Sequence, residues 1–437
     1  MTPMSFKHTV RALFLLFCLL PLGAQAALEI RITQGVEGAL PIAVVPFGWE
    51  GPGQGAPEEI GAIMQANLHR SGQFSPMEVA RMPQRPVRGP DVDFRVWREA
   101  GMDYVVIGRV QPTGTDRFSV QFQLFDTVRG RQVTGYSIPA SRAQLRRAAH
   151  MASDIIYEQI LGVRGAFSTR VAYVSVTREG NEQRFALQVA DADGHNPRTI
   201  FRSRQPILSP TWSPDGRRLA YVSFENRSSQ IFIQDVDGGS RERVASNPGI
   251  NSAPAWSPDG RQMAMTLSRD GQPDIYVMDL GDRTVRRVTN SRSIDTEPEW
   301  AADGRTLLFT SDRSGAPQIY EQSLSGGQAR RISFEGRYNG NATLSPDGRL
   351  VAMVNGEGGR FRIAVLDRQN RQFRLLTDGR LDEAPSFAPN GGMIIYATAG
   401  RGGQGELAAV SADGRVRQSL VLQEGEVREP AWSPFLD

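Results

Sequence analysis

The sequence predicts an α/β N-terminal domain followed by an all-β six-bladed β-propeller, the ring closed by the C-terminal strand. Three observations carry this. A stretch reading PTWSPDGRRLAYVS at residues 210–223 returns at 254–268, 298–311, 342–355 and 385–398, and its opening PAWSP ends the chain. Its anchors, Trp212, Trp256, Trp300, Leu344, Phe387 and Trp432, stand 44, 44, 44, 43 and 45 residues apart. A fixed step of about 40–45 residues built from short strands and turn residues is the mark of propeller blades. Ahead of the repeats, strand-like and helix-like patterns interleave as in a small α/β domain.

Each repeat reads as one blade. Ser-Pro-Asp-Gly is a tight turn, because proline presets φ and glycine accepts φ > 0. The run after it alternates, with Leu219, Tyr221 and Ser223 on one face and Ala220 and Val222 on the other, which is strand periodicity. Third and fourth strands follow, as in 231–236 and 241–246, joined by Asp237-Gly238-Gly239 as a hairpin turn. Residues 171–175, 185–194 and 198–203 match strands two to four of a blade that lacks its innermost strand. Residues 430–435 match that missing strand. Five complete units and one split between the ends make six blades, and closure removes an open sheet edge.

In chain order, Lys7, His8 and Arg11 precede an apolar run at 12–22 and then Ala24-Gln25-Ala26, the pattern of a secretory signal peptide over residues 1–26. The run is too short for a membrane anchor. Cys18 lies inside it, so the mature chain has no cysteine and must be stabilised by packing alone. Residues 27–163 form the α/β domain, with strands expected at 28–33, 41–47, 104–110, 118–125 and 132–138. Helices are expected at 58–70 and 142–161. Residues 48–57 and 81–90 read as loops, and 162–165 as the linker to the propeller at 164–437.

The whole chain holds 50 basic and 47 acidic residues. Without Lys7 and Arg11 the balance is 48 to 47, so the apparent basicity says nothing about nucleic acid, and with no basic stripe no nucleic-acid partner is expected. No other apolar run is long enough to span a bilayer, so direct membrane insertion is not expected. Catalytic and metal signatures are missing as well. His69, His150 and His195 are scattered, with no HExxH, no Cys/His spacing and no GxSxG elbow. The runs Asp191-Ala192-Asp193-Gly194 and Asp235-Val236-Asp237-Gly238 lack the spaced glutamate of a calcium loop and fall at hairpin turns. No cofactor and no metal is expected, and the chain reads as a monomeric scaffold rather than an enzyme. The alternative is the propeller part of a hydrolase or polysaccharide lyase.

A partner surface is expected at one channel mouth. The segments that precede the inner strands read Ile250-Asn251-Ser252-Ala253, Asp295-Thr296-Glu297, Asn339-Gly340-Asn341, Asp382-Glu383 and Arg428-Glu429. They are polar, and several acids converge.

A signal peptide, a small α/β domain and six WSPDGR-type blades together resemble the TolB family, the periplasmic component of Tol-Pal systems. The start LEIRITQGVEGALPIAVVPF at 28–47, IGRV at 107–110 and PAWSP at 430–434 carry the resemblance. Leu344 and Phe387 depart from the repeat's Trp, and Trp300 is followed by Ala-Ala-Asp, which is expected to weaken those turns. The resemblance implies a periplasmic linker between the outer-membrane lipoprotein Pal and the inner-membrane protein TolA. It places Pal at Ile250, Ala253 and Thr296, with Asn251, Glu297 and Asp382 as neighbours. TolA is placed on the mature N-terminal segment, Leu28, Glu29, Ile30, Arg31, Ile32 and Thr33. That segment either pairs with its own sheet edge or is offered to a partner's edge.

Overall fold

The computed structural model describes residues 28–34, 38–53, 55–400, 403–422 and 425–436; the expected signal peptide at 1–26 lies outside them. Strands β1 (Leu28–Gln34), β2 (Leu40–Val44), β3 (Gly48–Trp49), β4 (Phe74–Pro76), β5 (Tyr104–Gly114), β6 (Arg117–Asp126) and β7 (Arg131–Ser141) come first, with helices α1 (Ile60–Arg70), α2 (Phe94–Glu99) and α3 (Leu145–Leu161). Strands β2 to β7 make one mixed sheet in the order β4-β2-β5-β6-β7, with β3 paired to β5. Period-2 alternation in β2 sends Ile42 and Val44 to the α1/α3 side, and Ala43 with Val45 to the other. That second side is covered by Trp97 of α2.

Three elements escaped the sequence. β3 is two residues long and falls in the stretch expected as a loop at 48–57. β4 is three residues long, and α2 is six, too short for a helical period to register. Its start is set by Asp93, whose Oδ1 accepts the amides of Arg95 (2.9 Å) and Val96. The expected second helix begins three residues late, because 142–144 form a 3-10 turn with a Ser141/Gln144 capping box. It ends at Gly162, in the left-handed region at φ 74°.

The propeller has six four-stranded blades. Blade one holds Arg170–Glu179, Glu182–Asp191 and Arg198–Ser203, and its innermost strand is Glu426–Trp432 from the far end of the chain. The closing strand thus starts four residues earlier than the repeat suggests. Inner strands of blades two to six are Ile207–Trp212, Asn251–Trp256, Asp295–Trp300, Tyr338–Leu344 and Asp382–Phe387. The anchoring tryptophans staple neighbouring blades. Trp212 Nε1 donates to Ala431 O (3.0 Å) and Trp300 Nε1 to Ala255 O (3.1 Å). Trp432 reaches blade six through its backbone, N to Ser386 Oγ (2.9 Å), while its Nε1 donates to Thr169 Oγ1 (2.8 Å) at the start of its own blade. At Leu344 no indole is available. Glu299 supplies the link instead, accepting from Leu344 N and Thr343 Oγ1.

In the Ser-Pro-Asp-Gly turns, Asp215 accepts from Ser213 Oγ and Arg217 N, while Gly216 sits at φ 67° and donates to Ser213 O. The expected weakening at Ala301-Ala302-Asp303 does not occur. Gly304 keeps φ 62° and donates to Ala301 O at 3.0 Å, and Asp303 takes Thr306 Oγ1 in place of the missing serine. The turn depends on backbone and Asp, and the serine is replaceable.

Blade six has a fifth strand. β1 pairs antiparallel with the outer strand Arg417–Leu422, Leu28 opposite Leu422 and Ile32 opposite Gln418. Of the two uses expected for that segment, the one seen is addition to its own sheet edge. The α/β domain rests on blades one and six. Asn390 Nδ2 donates to Arg164 O (3.1 Å), Gln418 Nε2 to Arg70 O, and the Arg164 guanidinium covers the Phe435 ring at 4.2 Å. Gly72, at φ 69°, lies against Val416, whose Cγ2 would be 2.2 Å from an added Cβ.

Candidate protein-docking face

Every inner strand carries one irregularity at the same place. The register breaks at 208/211, 252/255, 296/299, 340/343, 383/386 and 428/431. At each break one residue has positive φ: Ser209, Ala253, Glu297, Asn341, Ala384 and Glu429, all between 48° and 55°. None is glycine, so each conformation costs of order 1 kcal/mol or more. All six of these bulge residues line one cavity, the channel. Glu297 Oε2 accepts from Thr310 Oγ1 and Asn341 N (both 2.7 Å), and Glu429 Oε2 accepts from Ser209 N (2.9 Å). The channel cavity is about 270 Å³ and is lined by Glu297, Glu299 and Glu429 among others, and by no histidine.

Burial raises the Glu299 carboxyl to about 7, against weaker opposition from its bonds to Leu344 N and Thr343. Its ordinary value is 4.5, so the fold favours the protonated form. Glu299 therefore costs nothing below pH 4.5, and its cost grows as the pH rises from there through 7. Glu299→Gln keeps an acceptor oxygen and cannot ionise. At pH 8 it is expected to stabilise the protein by about 1–3 kcal/mol, and at pH 5 hardly at all. Thermal melts at both values check this, and a variant with no gain at pH 8 contradicts it.

The mouth differs from the sequence reading in its charge. Asn251, Asp295, Asn339 and Asp382 are all buried. Asn251 Oδ1 accepts from Asn247 N at 2.8 Å, and Asp295 takes both oxygens to Arg313 at 2.8 and 2.9 Å. Asp382 accepts from Thr377 and Thr398, and burial pushes its carboxyl up. The Asn251 and Asp382 side chains are therefore buried braces of their loops. Glu297, Glu299 and Glu429 line the channel, and Glu383 is exposed in the segment of blade six that leads into it.

What these braces hold up is apolar. Ile250 (44% exposed), Ile294 (45%) and Leu381 (41%) each stand directly before a buried Asn or Asp, at the same place in blades three, four and six. In blade two the exposed apolar residue is Leu208, two positions further along the repeat. Sequence reasoning named Ile250 and missed Ile294 and Leu381, although the repeat column Ile-Asn, Ile-Asp, Leu-Asp contains them. Thr296, half-buried, accepts from Thr266 Oγ1 at 3.3 Å, and Ala253 lies at its blade's bulge. Three of the expected positions, Ile250, Ala253 and Thr296, thus fall on one rim. The N-terminal segment falls elsewhere, on the outer edge of blade six.

Among the described residues one group brings metal-ligand atoms within 4.8 Å of one another: His150, Asp191 and Asp193. It sits where α3 meets blade one, apart from the channel. The Arg146 guanidinium already holds Asp193. A second cation there would meet that charge directly, so the group does not favour a metal. No helix among the described residues is long and apolar enough to cross a membrane.

The chain matches the family model described as the TolB amino-terminal domain over residues 28–133, and that of the TolB beta propeller domain over 157–436. It is 90% identical over 428 residues to the Tol-Pal system protein TolB of Thioalkalivibrio sulfidiphilus, covering 98% of each chain. To the protein of the same name from Nitrosococcus oceani it is 62% identical, over 94% of each. The crystal structure of TolB from Acinetobacter baumannii superposes with a TM-score of 0.85 at 39% identity, covering 93% of this chain and 100% of that one.

Proposed function

The chain belongs to the TolB family, and from that premise we propose that it is the periplasmic scaffold that links Pal to TolA. The hydrolase or lyase reading is set aside with that membership, since the family is a scaffold family and not one of enzymes. In the proposed role the propeller mouth docks Pal, and β1 is the segment taken by TolA. Holding Pal on the mouth keeps it from gripping peptidoglycan, and releasing it lets the outer membrane be drawn in with the other envelope layers during division. The work is mechanical and needs no bond chemistry.

The observation that carries the reading is the rim. Ile250, Ile294 and Leu381 expose apolar surface around a carboxylate-lined channel, on loops braced by buried Asn and Asp side chains. A pre-organised rim loses little conformational freedom on binding, and apolar anchors ringed by polar groups are the usual energetic centres of interfaces. Propellers gather such residues from every blade onto one face.

The test is calorimetric titration with Pal. Ile250→Asp and Ile294→Asp alter exposed side chains, and Thr296→Trp adds bulk to the rim. Each is expected to weaken Pal binding by about 2 kcal/mol or more, roughly 30-fold. Circular dichroism and the melting temperature should not move. Unchanged affinity in all three places the docking face elsewhere, and a wild-type chain that binds no Pal overturns the reading itself.

A further inference from the structure

Where α1, α3 and the β-turn after Asp191 meet, one set of side chains is fixed by its hydrogen bonds. Ser153 Oγ donates to Ala149 O at 2.8 Å, so its oxygen accepts from Asn67 Nδ2 at 3.0 Å. Arg70 can only donate, and it donates to Asn67 Oδ1 at 3.0 Å. Both contacts orient Asn67 the same way, with its NH2 toward His150 Nδ1 at 2.9 Å. Nδ1 is then the acceptor, and the imidazole proton sits on Nε2. Nε2 is buried 3.4 Å from Asp193 Oδ2 of the propeller and makes no hydrogen bond. Asp193 also binds Arg146 and accepts from His195 N. His150 is 2% exposed.

We propose that this cluster is an acid-sensitive latch between the α/β domain and the propeller, closed while His150 is neutral and opened when it takes a second proton. The second proton would have to go on Nδ1, where it faces the Asn67 NH2, donor against donor. The charged ring would also lie between two guanidiniums, Arg70 from α1 and Arg146 from its own helix. His195 from the turn adds to the repulsion once protonated, while two carboxylates face the ring from the propeller: Asp193, already held by Arg146, and Asp191, within 4.8 Å. Relief requires water at the ring and release of Asn67 by Arg70. Water reaches the ring if the Asp193 turn lifts off α3.

Burial, more than these charges, lowers the His150 value from 6.5 to about 4. The closed junction therefore favours the neutral ring. Its full strength is present above pH 6.5, and it is lost as the pH falls from there toward 4. The weakening is roughly tenfold by pH 5.5 and up to about 300-fold at the acid end.

Hydrogen exchange on the full mature chain, corrected for intrinsic pH dependence, tests this between pH 7.5 and 4.5. Faster exchange is expected in the 191–198 turn and in α3 as the pH falls, with blade three unchanged. His150→Gln cannot take the proton and should show a flat profile. A wild-type profile that is flat, or a His150→Gln profile that matches wild type, overturns the latch. Loosening confined to α1 and α3 with the turn still protected also overturns it. Should His150→Gln not fold, nuclear magnetic resonance titration of His150 in the wild-type chain decides: a value of 6.5 or above is incompatible with the latch, and one near 4 that tracks opening of the turn supports it.

Discussion

A chain that ends at Gly425 is expected to melt about 10 °C or more below the full protein, or not to fold cooperatively at all. The missing strand, Glu426–Trp432, is the innermost of blade one and pairs along Arg170–Glu179, from Glu426 opposite Val176 to Trp432 opposite Val171. Val427 is wholly buried among Val171, Tyr173 and Leu407, and Ala431 packs with Ala172 and Trp212. Polar links go with it as well. Trp212 Nε1 loses Ala431 O, Ser209 N loses Glu429, and Thr169 and Arg170 lose Trp432 and Ser433. Lost burial and orphaned donors together cost about 5 kcal/mol or more. In a domain of this size each kcal/mol moves the melting temperature by about 2–4 °C. The cut also leaves an open strand edge, so aggregation on heating should accompany the loss. A scanning-calorimetry trace within about 2 °C of the full chain would sink the idea that this strand closes the ring.

How far the sequence reaches depends on whether a feature repeats. The Trp step and the Asp-Gly turn recur, so the blades and the split blade are legible from spacing alone. The start of the closing strand is not, since the motif marks only its second half and the ladder begins at Glu426. α2 and β4 occur once, are short, and are fixed by the Asp93 cap and by pairing to β2, neither of which leaves a periodic trace. The mouth was misread for a different reason. Asp295 and Arg313 lie 18 residues apart, and Asp382 and Thr398 lie 16 apart. Their local sequence looks like a charged loop, and only the hairpin that brings the pairs together shows that the charges are spent. The pairing of β1 with Arg417–Leu422 spans almost the whole chain, so an alternating segment at residue 28 could not name its edge.

Deleting Leu28–Gln34 is expected to abolish TolA binding while Pal binding survives. This rests on the scaffold role proposed for the chain, and on where β1 lies. The strand adds to blade six through the backbone ladder from Leu28–Leu422 to Gln34–Arg417. Blade six offers it an outer strand of six residues, as long as that of blade one, Arg198–Ser203. The outer strands of blades three, four and five, Val285–Arg287, Arg330–Arg331 and Phe373–Leu375, have three, two and three. A fifth strand on one edge, joined to its domain at one end only, is the least costly piece of the ring to release. Released, it keeps the alternating pattern that suits pairing with another protein's sheet edge. Docking on blade six and capture by TolA then compete for the same backbone groups, so the two states exclude each other. The rim proposed for Pal draws on blades three, four and six at the channel mouth, whereas β1 lies along the outer edge of blade six. Sites that far apart couple weakly, and Pal affinity should stay within about a factor of two. The deletion exposes only the edge of Arg417–Leu422 and leaves the six four-stranded blades complete, so circular dichroism should be unchanged. TolA that still binds the deleted chain, in a protein with an unaltered fold, would put the epitope elsewhere. Loss of Pal binding along with it would mean that β1 holds the ring together rather than serving as a detachable strand.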